Sequence, residues 1–334
     1  MTLYMVRAGN GGEFVEDFVN ESIVAIRWKG LGSSVKHFHS RDELKQAIRN
    51  NWSNWKDGRV NSSAGQLLRF ANDFQKGDKV ITYDSSSRLY YIGEITSDYK
   101  YKEDAENDFI NYRKVKWNNE PVDRDSLSPQ SKNRLGSTLT IFKVPEFVEN
   151  ELLSVKTGKP QVIESDDVDD VESEAEEYTL EGVENRANEA IKDKIANMHE
   201  DDIPELVAGL LRAMGYKTKV SGKGSDRGKD IIASPDGLGL TDPRIYVEVK
   251  HRTAKMSSPE IRSFLGGRKA HDRCVYVSTG GFTKDGMYEA ERATIPITLV
   301  DIDDLVDLLL EHYDGLDTKT RAMLPLAKIY YPVD

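Results

Sequence analysis

The sequence predicts two folded domains. The first is an α+β domain over residues 1–148. The second is an α/β domain over 200–313, with a mixed sheet flanked by helices. Three observations predict this. The N-terminal region carries short runs of alternating apolar and polar residues, rich in β-branched and aromatic side chains, which suit half-buried strands. The C-terminal region alternates strand-length with helix-length patterns, as a sheet covered by helices requires. Between them, Glu164 to Glu177 places nine acidic residues in fourteen with no aromatic, a composition that repels itself and buries little. The plan is therefore completed by an acidic flexible linker over 149–180, a connecting helix over 181–199 and a C-terminal extension over 314–334.

In the first domain, strand patterns run over Leu3–Val6, Ile23–Trp28, Lys79–Tyr83, Leu89–Ile95, Tyr112–Trp117 and Leu139–Lys143. Their alternation suits a half-open antiparallel sheet. Helical patterns fit residues 12–20, 40–50 and 64–74, and Ser40 with Glu43 has capping-box spacing. In the connecting helix, Val183, Ala187, Ile191 and Met198 form a thin apolar stripe suited to packing on the following domain. That domain opens with a helix capped by Asp201 or Asp202, with Pro204 in its first turn and Gly215 at its end. Leu206, Val207, Leu210, Leu211 and Met214 make its buried stripe. Strands follow near 216–220, 230–233, 244–250, 274–278 and 297–301, and helices near 259–267, 284–293 and 303–312.

Composition narrows the function. No apolar run is long enough to span a bilayer, and the N-terminus lacks a basic region followed by an apolar stretch, so a cytoplasmic protein with no membrane partner is expected. The single cysteine, Cys274, lies in a buried-strand pattern and excludes an internal disulfide or a Cys-rich zinc site. The net charge of −11 speaks against DNA at first sight. Yet residues 151–202 hold 17 acidic against 5 basic residues, more than the whole excess, while the regions on either side are close to neutral. Both domains can therefore present basic faces. Lys217, Lys219, Lys223, Arg227 and Lys229 form one basic group in sequence, and Arg252, Lys255, Arg262, Arg268, Lys269 and Arg273 another. Gly222-Lys223-Gly224 and Gly280-Gly281 lack the Lys-Ser/Thr ending of a phosphate-binding loop, so nucleotide hydrolysis is unsupported. His37 and His39 lack a third ligand.

The chemistry concentrates in Asp230 and Glu248-Val249-Lys250. In a strand, Glu248 and Lys250 share one face while Val249 points to the other. Two carboxylates can hold a hard divalent cation, and an ammonium beside them can handle the attacking water of a phosphodiester hydrolysis. Asp226, four residues before Asp230, is a second candidate ligand, but it sits among Gly and Ser, whereas Asp230 begins an apolar strand run. His251 would point to the opposite face from Lys250.

Residues from about 200 to 313 resemble the catalytic domain of Mrr-type restriction endonucleases, within the PD-(D/E)xK nuclease superfamily. The matching stretches are Pro204–Leu211, Met214–Tyr216, Asp226–Ala233, Val247–Lys250, Ser278–Thr283 and Thr298–Asp301. Many members carry Gln before the x-Lys, whereas this chain carries Glu248, the commoner choice in the wider superfamily. The resemblance implies Asp230, Glu248 and Lys250 as catalytic residues and Glu205, on the leading helix, as a further carboxylate. It implies Mg²⁺ or Mn²⁺ held by Asp230, Glu248 and Glu205, DNA as substrate, and self-association.

The first domain resembles the PUA/EVE-like small barrels through Lys76–Tyr83 and Tyr91–Ile95. Such domains bind nucleic acid, and several flip a modified base into an aromatic pocket. Trp28, Tyr83 and Asp84 are the pocket candidates, two rings for stacking and a carboxylate for a base donor. The sequence thus predicts a metal-dependent endonuclease of the type IV-like restriction class, with an N-terminal reader for modified DNA. The alternatives are a non-catalytic nucleic-acid-binding protein on a nuclease scaffold, and a structure-specific or RNA-directed nuclease.

Overall fold

The computed structural model describes residues 1–9, 11–28, 31–103, 105, 108–137, 139–157, 180–221, 230–251, 254–269 and 271–331. The acidic run Glu164–Glu177, Asp226 and the basic residues Lys223, Arg227, Lys229 and Arg252 lie outside them. The chain forms two units, Met1–Ala187 and Asn188–Asp334.

The N-terminal unit contains β1 (Leu3–Val6), α1 (Val15–Glu21), β2 (Ile23–Ile26), α2 (Arg41–Asn51), α3 (Asp57–Leu68), β3 (Lys79–Asp84) and β4 (Leu89–Ile95). It continues with β5 (Lys100–Tyr101), β6 (Asn111–Trp117), β7 (Val122–Asp123), α4 (Pro129–Leu135), β8 (Ile141–Lys143) and α5 (Glu146–Thr157). The strands form one sheet in the order β2-β6-β4-β3-β1-β8, with β5 on β6 and β7 on β4. Alternation sends side chains to two cores. Val80, Val24, Phe18, Leu44 and Leu67 belong to one, and Ile81, Tyr83, Tyr90, Leu135 and Leu152 to the other.

Three features differ from the sequence expectation. β1 runs parallel to β3, so the sheet is mixed rather than antiparallel, because α1 to α3 intervene and return the chain as a crossover. The path ends at β2 and β8, which do not pair with each other among the described residues, so these pairings do not close a barrel. The third helix begins at Asp57, earlier than its apolar residues indicate, and runs into a π-helical turn over Arg69–Asp73. The Ser40 cap is present. Its side chain accepts the Glu43 amide at 3.1 Å, while the Glu43 carboxylate accepts the His39 amide at 2.7 Å.

The second unit begins inside α6 (Leu180–Ala196) and contains α7 (Asp202–Ala213), β9 (Lys217–Val220), β10 (Ile231–Ser234), β11 (Arg244–Lys250) and α8 (Ser258–Leu265). It ends with β12 (Asp272–Ser278), α9 (Lys284–Glu291), β13 (Ile297–Val300), α10 (Ile302–Glu311) and α11 (Thr318–Met323). The sheet order is β13-β12-β11-β10-β9. β9, β10 and β11 pair antiparallel, and β11, β12 and β13 parallel, the mixed sheet that the alternation of elements predicts. Ile191 and Ile195 of α6 join the main core with α7 and α10.

The segment after residue 313 is part of this core and does more than extend it. Leu316 and Leu324 are buried there, and Thr320 is fully buried against α7. The contact is close because position 209 is glycine. A Cβ on Gly209 would lie 2.2 Å from Thr320 Oγ1 and 2.4 Å from its Cγ2.

Candidate active site

The site is built by strand alternation on β11. Ile245, Val247 and Val249 enter the core formed with Leu206, Val207 and Leu210 of α7. Glu248 and Lys250 must then take the other face of the sheet. On that face the parallel register of β12 sets Tyr276 beside Glu248 and Ser278 beside Lys250. On the other side, β10 is antiparallel with Ile231 opposite Val247. Asp230 directly precedes β10, at the end of this pairing nearest Glu248.

Asp230 is fixed there by the end of the ladder. Its amide donates to the Val247 carbonyl at 2.9 Å, and its Oδ2 accepts from the Val249 amide at 2.7 Å. The carboxylate thus takes the place of a strand carbonyl where the pairing of β10 runs out.

The second carboxylate is in a different state. Glu248 Oε1 lies 2.6 Å from Lys250 Nζ, with the Glu248 side chain 9 % exposed and that of Lys250 36 % exposed. Glu248 Oε2 is buried and has no hydrogen-bond partner among the described residues, and the same holds for Ser278 Oγ on the neighbouring strand. A charged oxygen buried without a partner costs about 1–3 kcal/mol or more. Its retention beside a second carboxylate fits a group that receives a ligand.

The donor chemistry fits a hard cation. Mg²⁺ uses oxygen ligands, commonly one or two carboxylates completed by substrate phosphate and water. Asp230 and Glu248 provide such a pair. No group of three His, Cys, Asp or Glu side chains that could hold a metal ion occurs among the described residues.

Glu205 is therefore not brought together with the other two carboxylates. It lies in the first turn of α7, which packs on the opposite face of the sheet, and its Oε2 accepts from Lys319 Nζ at 3.1 Å. His251 is held through Nδ1 by the Thr279 hydroxyl at 3.1 Å. Two of the basic residues are committed elsewhere. Arg262 pairs with Glu289 at 2.8 Å, and Arg268 lies over the rings of Phe264 and Tyr246 at 4.8 and 5.1 Å. Cys274 is a core thiol, and burial pushes its pKa up, away from nucleophilic use.

In the N-terminal unit the three pocket candidates do not share a face. Tyr83 stacks on Tyr90 at 4.6 Å within the core that also holds Ile81 and Ile92. Asp84 alternates to the other face, where its Oδ1 accepts from the Ser86 amide and hydroxyl at 3.2 and 2.7 Å. Trp28 packs against the core on that second side. Two further residues occupy the same side. Thr82 is fully buried, and its hydroxyl has no hydrogen-bond partner among the described residues. Tyr91 stands opposite Thr82, and burial, then the charges of Asp84 and Glu16, push its hydroxyl pKa up. Alternation alone separates Tyr83 from Asp84, so that signal was in the sequence; nothing in the sequence marks Thr82.

Comparison with known proteins follows the division into units. Residues 4–144 match a family model described as a domain of unknown function, DUF8426. No curated protein matches the chain. Among solved structures it is similar to the MspJI restriction endonuclease in complex with a 27-mer oligonucleotide, at 12 % identity over 96 % of this chain and 70 % of that one, with a TM-score of 0.34. It is also similar to the DNA modification-dependent restriction endonuclease AspBHI, at 16 % identity over 78 % and 72 %, with a TM-score of 0.32. Residues 195–309 match the Mrr_cat family model, described as restriction endonuclease, so the C-terminal unit carries a restriction endonuclease domain and Asp230, Glu248 and Lys250 lie inside it.

Proposed function

We propose that the chain is a metal-dependent DNA endonuclease of the PD-(D/E)xK type, with Asp230, Glu248 and Lys250 as its catalytic residues. The observation that carries this reading is a buried Glu248 Oε2 without a partner, with Lys250 Nζ at 2.6 Å from Oε1 and with Asp230 anchored by the adjoining Val249 amide. It lies within the span that the restriction endonuclease model matches. A bound Mg²⁺ or Mn²⁺ would supply Lewis-acid stabilisation of the charge that develops on the phosphate. Asp230 and Glu248 would hold it. Lys250, partly exposed, can hold a water for in-line attack on phosphorus and offset the phosphate charge. Asp230 stays oriented through the Val249 amide, so the site is preorganised on rigid strands.

The second part of the proposal gives the N-terminal unit target choice. Its support is the motif resemblance to PUA/EVE-like domains, together with the side of the sheet that bears Trp28, Thr82, Asp84 and Tyr91. A buried hydroxyl without a partner is available to a ligand, and aromatic rings contribute roughly 1–3 kcal/mol per stacked base. The preferred substrate is base-modified DNA, and localisation in the cytoplasm and self-association belong to the same reading. Among the described residues no helix is long and apolar enough to cross a membrane.

The test is cleavage of matched duplexes, unmodified or carrying cytosine or adenine modifications, with Mg²⁺. Cleavage that depends on metal and on modification supports both parts. Cleavage of every duplex at one rate removes the reader and leaves the nuclease. Binding without cleavage under any divalent cation favours the non-catalytic scaffold.

A further inference from the structure

A cavity of about 460 Å³ in the N-terminal unit is lined by Lys36, Lys76 and Arg113, with Asp98, Tyr99 and Phe74 among its other walls. Trp28, Thr82, Asp84 and Tyr91 are not among its lining residues. Its construction starts from the π-helical turn Arg69–Asp73. The helix ends with this turn, which leaves the carbonyls of Phe70 and Ala71 among its last, without intrahelical donors. Arg113, 2 % exposed, satisfies them through Nε at 2.9 Å and Nη2 at 3.0 Å, and reaches the Ser97 carbonyl through Nη1 at 3.3 Å. A guanidinium has five N–H groups. Three are used, and two are uncommitted among the described residues. Arg113 is thus a fixed positive charge in the cavity wall.

The other two cations reach the cavity from its rim, Lys36 with its Nζ 5.7 Å from the centroid of the Tyr99 ring. Lys36 and Lys76 are exposed, and Lys76 Nζ lies 2.8 Å from Asp98 Oδ2. Among the described residues Asp98 is the one acidic side chain lining the cavity, against three cations. Its carboxyl is held below the ordinary range by the Lys76 hydrogen bond and by the charges of Lys76, Arg113 and Lys36. Asp98 is itself exposed, and Lys76 is its ion-pair partner among the described residues. A buried Arg and two exposed Lys side chains around one anion suit the charge and donor needs of a phosphate.

We propose that this cavity is a phosphate-binding site whose ligand is a backbone phosphate of DNA, with Asp98 the internal anion that the phosphate displaces. The choice of DNA rests on the proposed function; the phosphate chemistry does not. A backbone anchor here would position the N-terminal unit on a duplex without reading sequence, leaving target choice to other side chains.

The experiment uses the full chain with metal omitted, so that binding is read without cleavage. Affinity for a fluorescent duplex is measured by anisotropy over a salt series for the wild type, Lys36→Gln/Lys76→Gln and Asp98→Asn. Both lysines are exposed, so the double variant is expected to fold, and its melting temperature confirms it. Loss of one phosphate contact should lower the slope of log affinity against log salt by about 0.9 and weaken binding to every duplex alike. Asp98→Asn should tighten binding several-fold at low salt. An unchanged affinity and slope in the double variant overturns the proposal, whether or not the chain cuts DNA. A reduced slope in a chain that never cleaves DNA sinks the nuclease reading and supports this one. Inorganic phosphate serves as the second probe. If it raises the melting temperature of the wild type but not of the double variant, while the DNA slopes coincide, the site takes free phosphate and the DNA assignment is overturned.

Discussion

Glu248→Gln should make the protein more stable while removing its activity. Glu248 Oε2 is buried without a partner, and leaving a buried charged oxygen in that state costs about 1–3 kcal/mol or more. The amide keeps the shape and removes the charge. What it loses is the ion pair to Lys250, whose side chain is 36 % exposed and therefore screened, so that loss is about 1 kcal/mol at most. The balance favours the variant by about 1 kcal/mol, or about 2–4 °C in melting temperature for a unit of this size. The assay is thermal and urea unfolding of both proteins with a chelator present, repeated with Mg²⁺. A metal at one hundred times its dissociation constant stabilises by about 2.7 kcal/mol, which the wild type should show and the variant should largely lose. A variant less stable than the wild type by more than about 1 kcal/mol would refute the reasoning, since Glu248 would then be a structural ion-pair partner. Equal Mg²⁺ stabilisation of both would refute its assignment as a ligand.

Other substitutions probe separate steps. Lys250→Met and Asp230→Asn should each lower single-turnover cleavage by at least about a hundredfold, the lower end of what a positioned proton-transfer or charge-stabilising group contributes. Unchanged DNA affinity by anisotropy would separate that loss from misfolding. Glu205→Gln should leave cleavage within a few-fold of wild type, because its carboxylate is paired to Lys319 away from the other two; a loss like that of Asp230→Asn would place it in the site. Gly209→Ala should destabilise the C-terminal unit by about 1–3 kcal/mol, since the added methyl would overlap Thr320, and urea unfolding measures it. Asp301 caps α10, and burial pushes its carboxyl up to about 6 from an ordinary 3.8. A raised pKa means the folded state holds the proton more tightly, so this contribution is full below about pH 4 and is lost as pH rises through 6, at most about 3 kcal/mol. Asp301→Asn keeps a capping oxygen and should flatten the stability profile between pH 4 and 7; an unchanged profile would contradict that origin.

The strands of both units were legible because alternation of apolar residues reports burial directly. β1, β4 and β11 lie where that pattern places them. The same alternation sets Glu248 and Lys250 on one face, and the order of elements brings β10 beside β11, so the placement of these candidate residues followed from local sequence and topology. Glu205 did not. Its partner Lys319 lies 114 positions away, on a helix whose short apolar pattern gave no sign that it packs on α7. The parallel pairing of β1 with β3 was hidden for a related reason, since strand direction depends on the crossover and not on the strand's own residues. The π-helical turn at Arg69–Asp73 has no sequence signature either. Its end is tied to a distant strand, where Arg113 supplies donors for the Phe70 and Ala71 carbonyls.

The central claim is that Asp230, Glu248 and Lys250 hydrolyse DNA. Its most direct test is single-turnover cleavage of a modified duplex with Mg²⁺, comparing the wild type with Asp230→Asn, whose Val249 contact the amide oxygen can preserve. The account predicts strand cleavage by the wild type, none with a chelator, and at least a hundredfold less by the variant at equal DNA affinity. Cleavage by Asp230→Asn at the wild-type rate, with the fold intact, would contradict it.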